Sequence, residues 1–348
     1  MTKKYGAVIT AAGRSSRMGD FKPLLPLGAS TIIGVTMDKL RAAGVSNFSV
    51  VVGREAARLC AEAAASDVVF AENAEYATTD MFCSVKMGLR ALDSSCDYLF
   101  FLPVDTPLFE LETLEKMKTA ADGSCDVVIP THRGKSGHPI LLRGSAVPAI
   151  LAYTAELGLG GAMKNLGLSV KRLECEDFGI LLDADHKSDY ELMRLLYGED
   201  APKNVMRHER AVARLSVHLA DELNAAGFPI DTGLLELAAL VHDCARAMPR
   251  HDEQAAEILR RIGRDDLAEI VRQHMLPEPV ARDKISEITL LYLADKLVIE
   301  DRPATLEERF LSRLDKHPNE AARLAITEKY EIALDIKSMF EKALGRPI

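Results

Sequence analysis

The sequence predicts two units of different class, an α/β domain over residues 1–198 followed by an all-α domain over residues 203–348. Three observations carry this reading. Residues 1–198 alternate short β-rich runs with amphipathic stretches, the pattern of a mainly parallel sheet covered on both faces. Beyond Gly198-Glu199-Asp200-Ala201-Pro202 the strand-like runs stop and helical period continues to Ile348. A chain of 348 residues also has room for two domains of roughly 150 residues each.

In chain order, residues 5–10, 47–52, 67–71, 98–104, 126–129, 139–142 and 179–182 are rich in Val, Ile, Leu, Tyr and Phe and read as strands. Between them, residues 30–43 and 111–121 repeat apolar positions at helical spacing. In the second domain the helices are punctuated by Gly227-Phe228-Pro229, Gly263 and Pro277-Glu278-Pro279. The segment after Arg302, with Leu306, Phe310 and Leu311, reads as helix packed on the bundle rather than as part of a site.

Composition narrows the function. With 48% hydrophobic and 27% charged residues the chain is an ordinary globular protein. Its net charge of -9 and its lack of Trp and of basic clusters argue against general nucleic-acid binding, while leaving nucleotides open. Cys60, Cys83, Cys96, Cys125, Cys175 and Cys244 show no C-x-x-C spacing, which disfavours a disulfide framework or thiolate zinc site. No apolar run of about 18 residues indicates a membrane span, and the first residues lack the apolar core of a signal peptide, so a cytoplasmic location is expected. The oligomeric state is not readable.

The loop Ala11-Ala12-Gly13-Arg14-Ser15-Ser16-Arg17-Met18-Gly19-Asp20-Phe21-Lys22 follows the first strand, where open α/β sheets place ligand loops. Small residues at Ala11, Ala12 and Gly13 let backbone approach a ligand. Arg17 and Lys22 add positive charge for a triphosphate. Asp105 and Asp183 each close an apolar run, where a hard cation could meet them, although a lone Asp there also caps a turn.

These residues, with Pro23-Leu24-Leu25-Pro26-Leu27-Gly28, Val51-Val52-Gly53, Asn73, Met81-Phe82-Cys83-Ser84-Val85, Leu102-Pro103-Val104-Asp105-Thr106-Pro107, Gly137-His138-Pro139 and Leu182-Asp183-Ala184-Asp185, resemble the molybdenum cofactor nucleotidyltransferases, the cytidylyltransferase branch in particular. The resemblance implies a nucleotide-binding α/β sandwich. It places a nucleoside triphosphate, CTP or GTP, against Ala11, Ala12, Gly13, Arg17, Lys22 and Asn73, Mg²⁺ on Asp105 and Asp183, and a molybdopterin-type phosphorylated acceptor nearby. Lys22, Arg17 and Asp105 are then the catalytic residues. His138 reads equally as a turn residue before proline or as an acceptor contact.

Of nine histidines, five, His208, His218, His242, His251 and His274, fall within one stretch of the second domain. His208 falls on the apolar stripe Val205, Val212, Leu215, Leu219, and Asp295 on the stripe Ile288, Leu291, Val298, Ile299. A buried carboxylate must be paired or coordinated. His242-Asp243 ends an almost wholly apolar helix, and His218 lies off its stripe. The order His208, His242-Asp243, His251, His274, Asp295 resembles the HD-domain phosphohydrolases, a helical bundle, and implies His242 and Asp243 as catalytic residues in a set that binds metal. His251 and His274 suggest the dinuclear members, in which two metals activate water against a phosphorus centre. Mixed imidazole and carboxylate donors suit Fe, Mn, Zn or Ni. The whole chain thus reads as a nucleotidyltransferase joined to a metal-dependent phosphohydrolase. The rival reading is a sugar- or alditol-phosphate nucleotidyltransferase whose HD domain is a regulatory nucleotide sensor.

Overall fold

The computed structural model describes residues 3–13, 18–92, 95–155, 157–198, 202–314 and 319–348. They form two compact units, Met1–Met193 and Arg194–Ile348.

The first unit holds strands β1 (Tyr5–Thr10), β2 (Pro26–Leu27), β3 (Ser30–Thr31), β4 (Val45–Val52), β5 (Val68–Glu72), β6 (Tyr98–Pro103), β7 (Val127–His132), β8 (Lys135–Ser136), β9 (Ile140–Arg143) and β10 (Val170–Glu174). Its helices are α1 (Ile32–Ala42), α2 (Ala56–Glu62), α3 (Met81–Ala91), α4 (Leu111–Ala120), α5 (Val147–Ala152), α6 (Gly158–Asn165) and most of α7 (Lys187–Tyr197). The main sheet runs β10-β7-β9-β6-β1-β4-β5, with β8 paired to β7 and β2-β3 a separate ribbon. Strand β1 is parallel to both β4 and β6, whereas β9 is antiparallel to β6 and β7. The central strands β1, β4 and β6 are largely buried, and α3 packs against β1 and β4. A Cβ on Gly88 would come within 2.4 Å of Val8, so glycine is what lets that helix approach β1. The side chain of Asp80 caps α3 by accepting from Cys83 N at 2.9 Å.

The order reverses at β1, whose neighbours are the next and a much later long strand of the chain. Thr10 pairs with Pro103, so the loops after β1 and β6 open side by side at the strand C-termini, the switch point where open sheets bind ligands.

Residues 179–182 depart from expectation. They lie in and beside a 3-10 turn, Phe178–Leu181, not a strand. Ile180 O accepts from His138 N at 3.0 Å, and Gly137 lies so close that a Cβ there would sit 2.4 Å from that oxygen. The edge of the sheet is instead β10, whose sequence Val-Lys-Arg-Leu-Glu is largely exposed and carries the charges typical of an edge strand.

The second unit contains α8 (Lys203–Ala225), α9 (Thr232–Val241), α10 (His251–Arg261), α11 (Asp265–Arg272), α12 (Pro279–Arg282), α13 (Glu287–Lys296), α14 (Leu306–Leu314) and α15 (Glu320–Leu344). It is not wholly helical: β11 (Val298–Ile299) and β12 (Arg302–Pro303) make a short antiparallel ribbon. Helix α13 is buried all round from Thr289 to Lys296 and forms the centre of the bundle. Its Tyr292 hydroxyl donates to Lys329 O at 3.0 Å, fastening α15 to it. Among the described residues, no helix is long and apolar enough to cross a membrane.

Candidate active sites

At the β1 and β6 ends a cleft of about 190 Å³ is lined by Ala11, Ala12, Gly13, Lys22, Thr79, Ser84 and Asp105, among others. Ala11 N continues the sheet to Val51 O at 2.8 Å, so its amide is used by the fold, and the backbone facing the cleft begins at Ala12. Arg17 lies outside the described residues. Lys22 sits on a 3-10 turn, its side chain 10% exposed, with Nζ 2.9 Å from Asp185 Oδ1 and 3.3 Å from Asp105 Oδ2. Burial opposes the Lys22 charge, but Asp185 and Asp105 outweigh it and raise the ammonium above its ordinary value.

Asp183 is exposed and joins the same neighbourhood. Burial, then the charges of Asp185 and Asp105, push its carboxyl above the ordinary aspartate value. Ala184 N donates to Asp105 O at 3.1 Å and ties the two carboxylate-bearing segments together. Asn73 stands behind the wall rather than in the cleft: its Nδ2 donates to Thr79 Oγ1 and Ser84 Oγ at 3.0 and 3.1 Å, and its Oδ1 accepts from Glu75 N. Its place is to shape the lining. His138 packs edge-on against Phe101, with ring centroids 5.7 Å apart, and its Nδ1 is buried without a hydrogen bond.

Four histidines of the second unit, His208, His242, His251 and His274, converge. Two groups of donor atoms each lie within 4.8 Å of one another, His208, His242 and Asp243 in one, Asp243, His251 and His274 in the other. Asp243 is common to both. His208, on α8, is held by Nδ1 against Glu300 O at 2.8 Å and meets Asp295 Oδ1 with Nε2 at 3.0 Å. His242 Nδ1 donates to Ala239 O at 2.8 Å and His274 Nδ1 to Val271 O at 2.7 Å, which turns each Nε2 towards the centre. His242 is fully buried, and burial lowers its imidazole to about 4, so it is neutral near pH 7. Burial works against the Asp243 charge, yet His242, His274 and Arg246 outweigh it and hold the carboxyl below the usual range.

Asp295 belongs to neither donor group. Its Oδ2 is 2.5 Å from Lys296 Nζ, and its Oδ1 is 3.3 Å from Arg309 and 3.9 Å from His242 Nε2. Arg309 comes from α14, so the segment after Arg302 does reach the site, contrary to the sequence expectation. Glu209 is a second unforeseen member: it is buried beside His208 and accepts from Asp243 N at 3.2 Å. Burial and the nearby Asp243 raise its carboxyl well above the ordinary value. Arg246 pairs with Asp243 while remaining half-exposed. His218 is 65% exposed on the surface.

The atoms left over indicate what the pocket accepts. His242 Nε2, Asp243 Oδ1 and His251 Nε2 are buried and make no hydrogen bond. Buried lone pairs without partners are costly, and a cation satisfies them together. The donor set therefore fits divalent metal. In the first unit the carboxylate oxygens of Asp105 and Asp183 are the hard donors that Mg²⁺ takes.

Residues 7–170 match the family model of the MobA-like NTP transferase domain, and residues 205–319 match that of the HD domain. The chain joins a MobA-like NTP transferase domain to an HD domain, and it is an enzyme. The transferase domain is similar to the molybdenum cofactor cytidylyltransferase of Escherichia coli, 27% identical over 194 residues, 55% of this chain and 96% of that protein. It is also similar to the CMP-5'-(3-aminopropyl)phosphonate synthase of Streptomyces rubellomurinus, 30% identical over 170 residues, 46% of this chain and 26% of that protein. A solved nucleotidyl transferase from Methanothermobacter superposes with a TM-score of 0.49 at 26% identity, covering 56% of this chain and 98% of that one. HD domains bind divalent metals, and the two donor groups lie within the matched region.

Proposed function

We propose that the transferase domain moves a cytidylyl or guanylyl group from CTP or GTP to a molybdopterin-type acceptor, and that the HD domain is a metal-dependent phosphohydrolase. The observation that carries the first half is the Lys22 ammonium paired with Asp105 in a cleft that Ala12 and Gly13 also line. Asp105 and Asp183 would hold Mg²⁺, which supplies charge neutralisation for the triphosphate and the departing pyrophosphate. Lys22 and Arg17 offset the charge that gathers on the phosphates. Gly13 gives the backbone room to approach them. CTP is favoured over GTP because the two relatives carry cytidylyl and CMP chemistry in their names, and the first of them supports molybdopterin as acceptor. Purified protein incubated with each nucleoside triphosphate and the molybdenum-loaded pterin tests this by pyrophosphate release. A reading with sugar phosphates alone overturns the acceptor.

For the second half, the carrying observation is Asp243 shared between two donor groups whose buried atoms lack hydrogen bonds. His208, His242, Asp243, His251 and His274 would hold two transition metals, with Asp295 beside them. Such a pair polarises a phosphoryl oxygen and acidifies water. Arg246, half-exposed above Asp243, offers a cation to the phosphate. Metal analysis of anaerobically purified protein, followed by a phosphate-release screen over phosphorylated nucleotides and pterins, tests it.

A further inference from the structure

Lys22 is an unusual cation to find in the lining of a ligand cleft. It is nearly buried, and its ammonium already bridges Asp185 Oδ1 at 2.9 Å and Asp105 Oδ2 at 3.3 Å. The carboxylates do not depend on Lys22 for their placement. Asp105 follows β6, the Asp183-Ala184-Asp185 segment leads into α7, and the bond from Ala184 N to Asp105 O fastens one to the other. Three carboxylates, those of Asp105, Asp183 and Asp185, therefore share one neighbourhood, and Lys22 is paired with two of them, Asp105 and Asp185.

Resting on the nucleotide-binding reading of this cleft, we infer that Lys22 neutralises the metal-binding Asp105, together with its neighbour Asp185, until nucleotide arrives, so that the divalent cation enters with the triphosphate and not before it. A bare Mg²⁺ would have to shed water, which it does reluctantly, and also displace a buried ammonium from Asp105. Displacement alone leaves that ammonium with Asp185 as its remaining partner of the two. A metal–triphosphate complex removes the difficulty, because the phosphate oxygens would give Lys22 a new partner as the metal takes Asp105. The exchange keeps every charge paired. Metal and nucleotide should accordingly raise each other's affinity by the same factor.

The test is a Mn²⁺ titration of the full chain, with free Mn²⁺ counted by electron paramagnetic resonance, in the absence and presence of CTP. Wild type is compared with Lys22→Met, Lys22→Gln and the charge-conserving Lys22→Arg. The HD domain takes up its own Mn²⁺ in all four, so the differences report the transferase cleft. Without CTP, Lys22→Met and Lys22→Gln should bind one further equivalent at least about tenfold more tightly than wild type, while Lys22→Arg follows wild type. With CTP, wild type should gain that equivalent, and both uncharged variants should bind CTP more weakly. If CTP binds wild type but all four proteins titrate alike without it, the exchange is wrong and the nucleotide site stands. If Mn²⁺ and CTP together never bind wild type, the nucleotide reading itself fails.

Discussion

Asp243 Oδ1 stands 3.4 Å from His251 Nε2, and although both atoms are buried neither makes a hydrogen bond. His274 Nε2 lies 3.7 Å from the same oxygen. A pocket that held only protein would have closed these distances or filled them with apolar atoms, since an unsatisfied buried polar group costs about 1–3 kcal/mol. Two imidazole nitrogens grouped around one buried carboxylate oxygen that makes no hydrogen bond are the mark of a cation position.

It follows that the protein, purified anaerobically without chelators, should retain more than one equivalent of transition metal. The double variant His242→Ala, Asp243→Ala removes the residue common to both donor groups and should retain almost none. Elemental analysis of both proteins decides it, and equal metal content would remove these residues from the ligand set.

In the transferase domain, Lys22→Ala and Asp105→Asn should each lower nucleotidyl transfer by at least about a hundredfold, the loss typical of one preorganised electrostatic contact, about 2.7 kcal/mol. Circular dichroism should show both variants folded. Transfer within about threefold of wild type in either would exclude that residue from the reacting set.

His138 makes stability depend on pH in a predictable direction. Burial is the largest influence on its imidazole and pushes it below the ordinary value of 6.5. The unfolded chain then binds a proton that the folded chain resists, so folding loses stability as pH falls from the unfolded pKa towards the depressed folded one. Above about pH 7 both states are neutral and the effect vanishes. Urea unfolding across this range should show His138→Gln losing less stability on acidification than wild type. Parallel curves would mean that the imidazole titrates alike in both states.

What the sequence disclosed and what it hid follow from the same physics. Residues 5–10 read as a strand because every one of them is buried, which leaves an unbroken apolar run in the chain. Strand β10 was hidden because Lys171, Arg172 and Glu174 alternate with few apolar partners on an exposed edge. His208 betrayed itself by sitting on an apolar stripe. Arg309, Lys296, Glu209 and Asp185 gave no such sign, since a charge on a helix or loop reads the same whether it turns to water or to a buried carboxylate. For Arg309 the available hint was its place three residues after Leu306 and beside Phe310, both buried.

The proposed boundary at residues 198–203 also makes a claim about folding. Fragments 1–198 and 203–348 each contain a hydrophobic core of their own, the first around Val8, Val51 and Phe101, the second around α13. Separately expressed, each should be soluble and melt cooperatively, and the full chain should show two transitions at the fragment temperatures. One transition in the full chain with both fragments insoluble would reveal a common core.

The last prediction separates an enzyme from a sensor in the HD domain. Both need the donor groups, so metal content cannot distinguish them. A hydrolase also needs a cation that can meet the substrate phosphate, and Arg246 is placed for this, half-exposed while paired to Asp243. Arg246→Ala should therefore leave metal content near wild type but lower phosphate release from the best substrate of a nucleotide and pterin panel by about a hundredfold. Arg246→Lys should recover part of it, because a point charge replaces the planar fork imperfectly. A sensor would behave otherwise: the metal-loaded wild type would hydrolyse nothing on the panel, and nucleotide bound at the HD domain would change the rate of transfer. Measuring transfer and hydrolysis side by side on the same preparation distinguishes the two, because Arg246→Ala should slow only hydrolysis in the enzyme and alter only the response of transfer in the sensor.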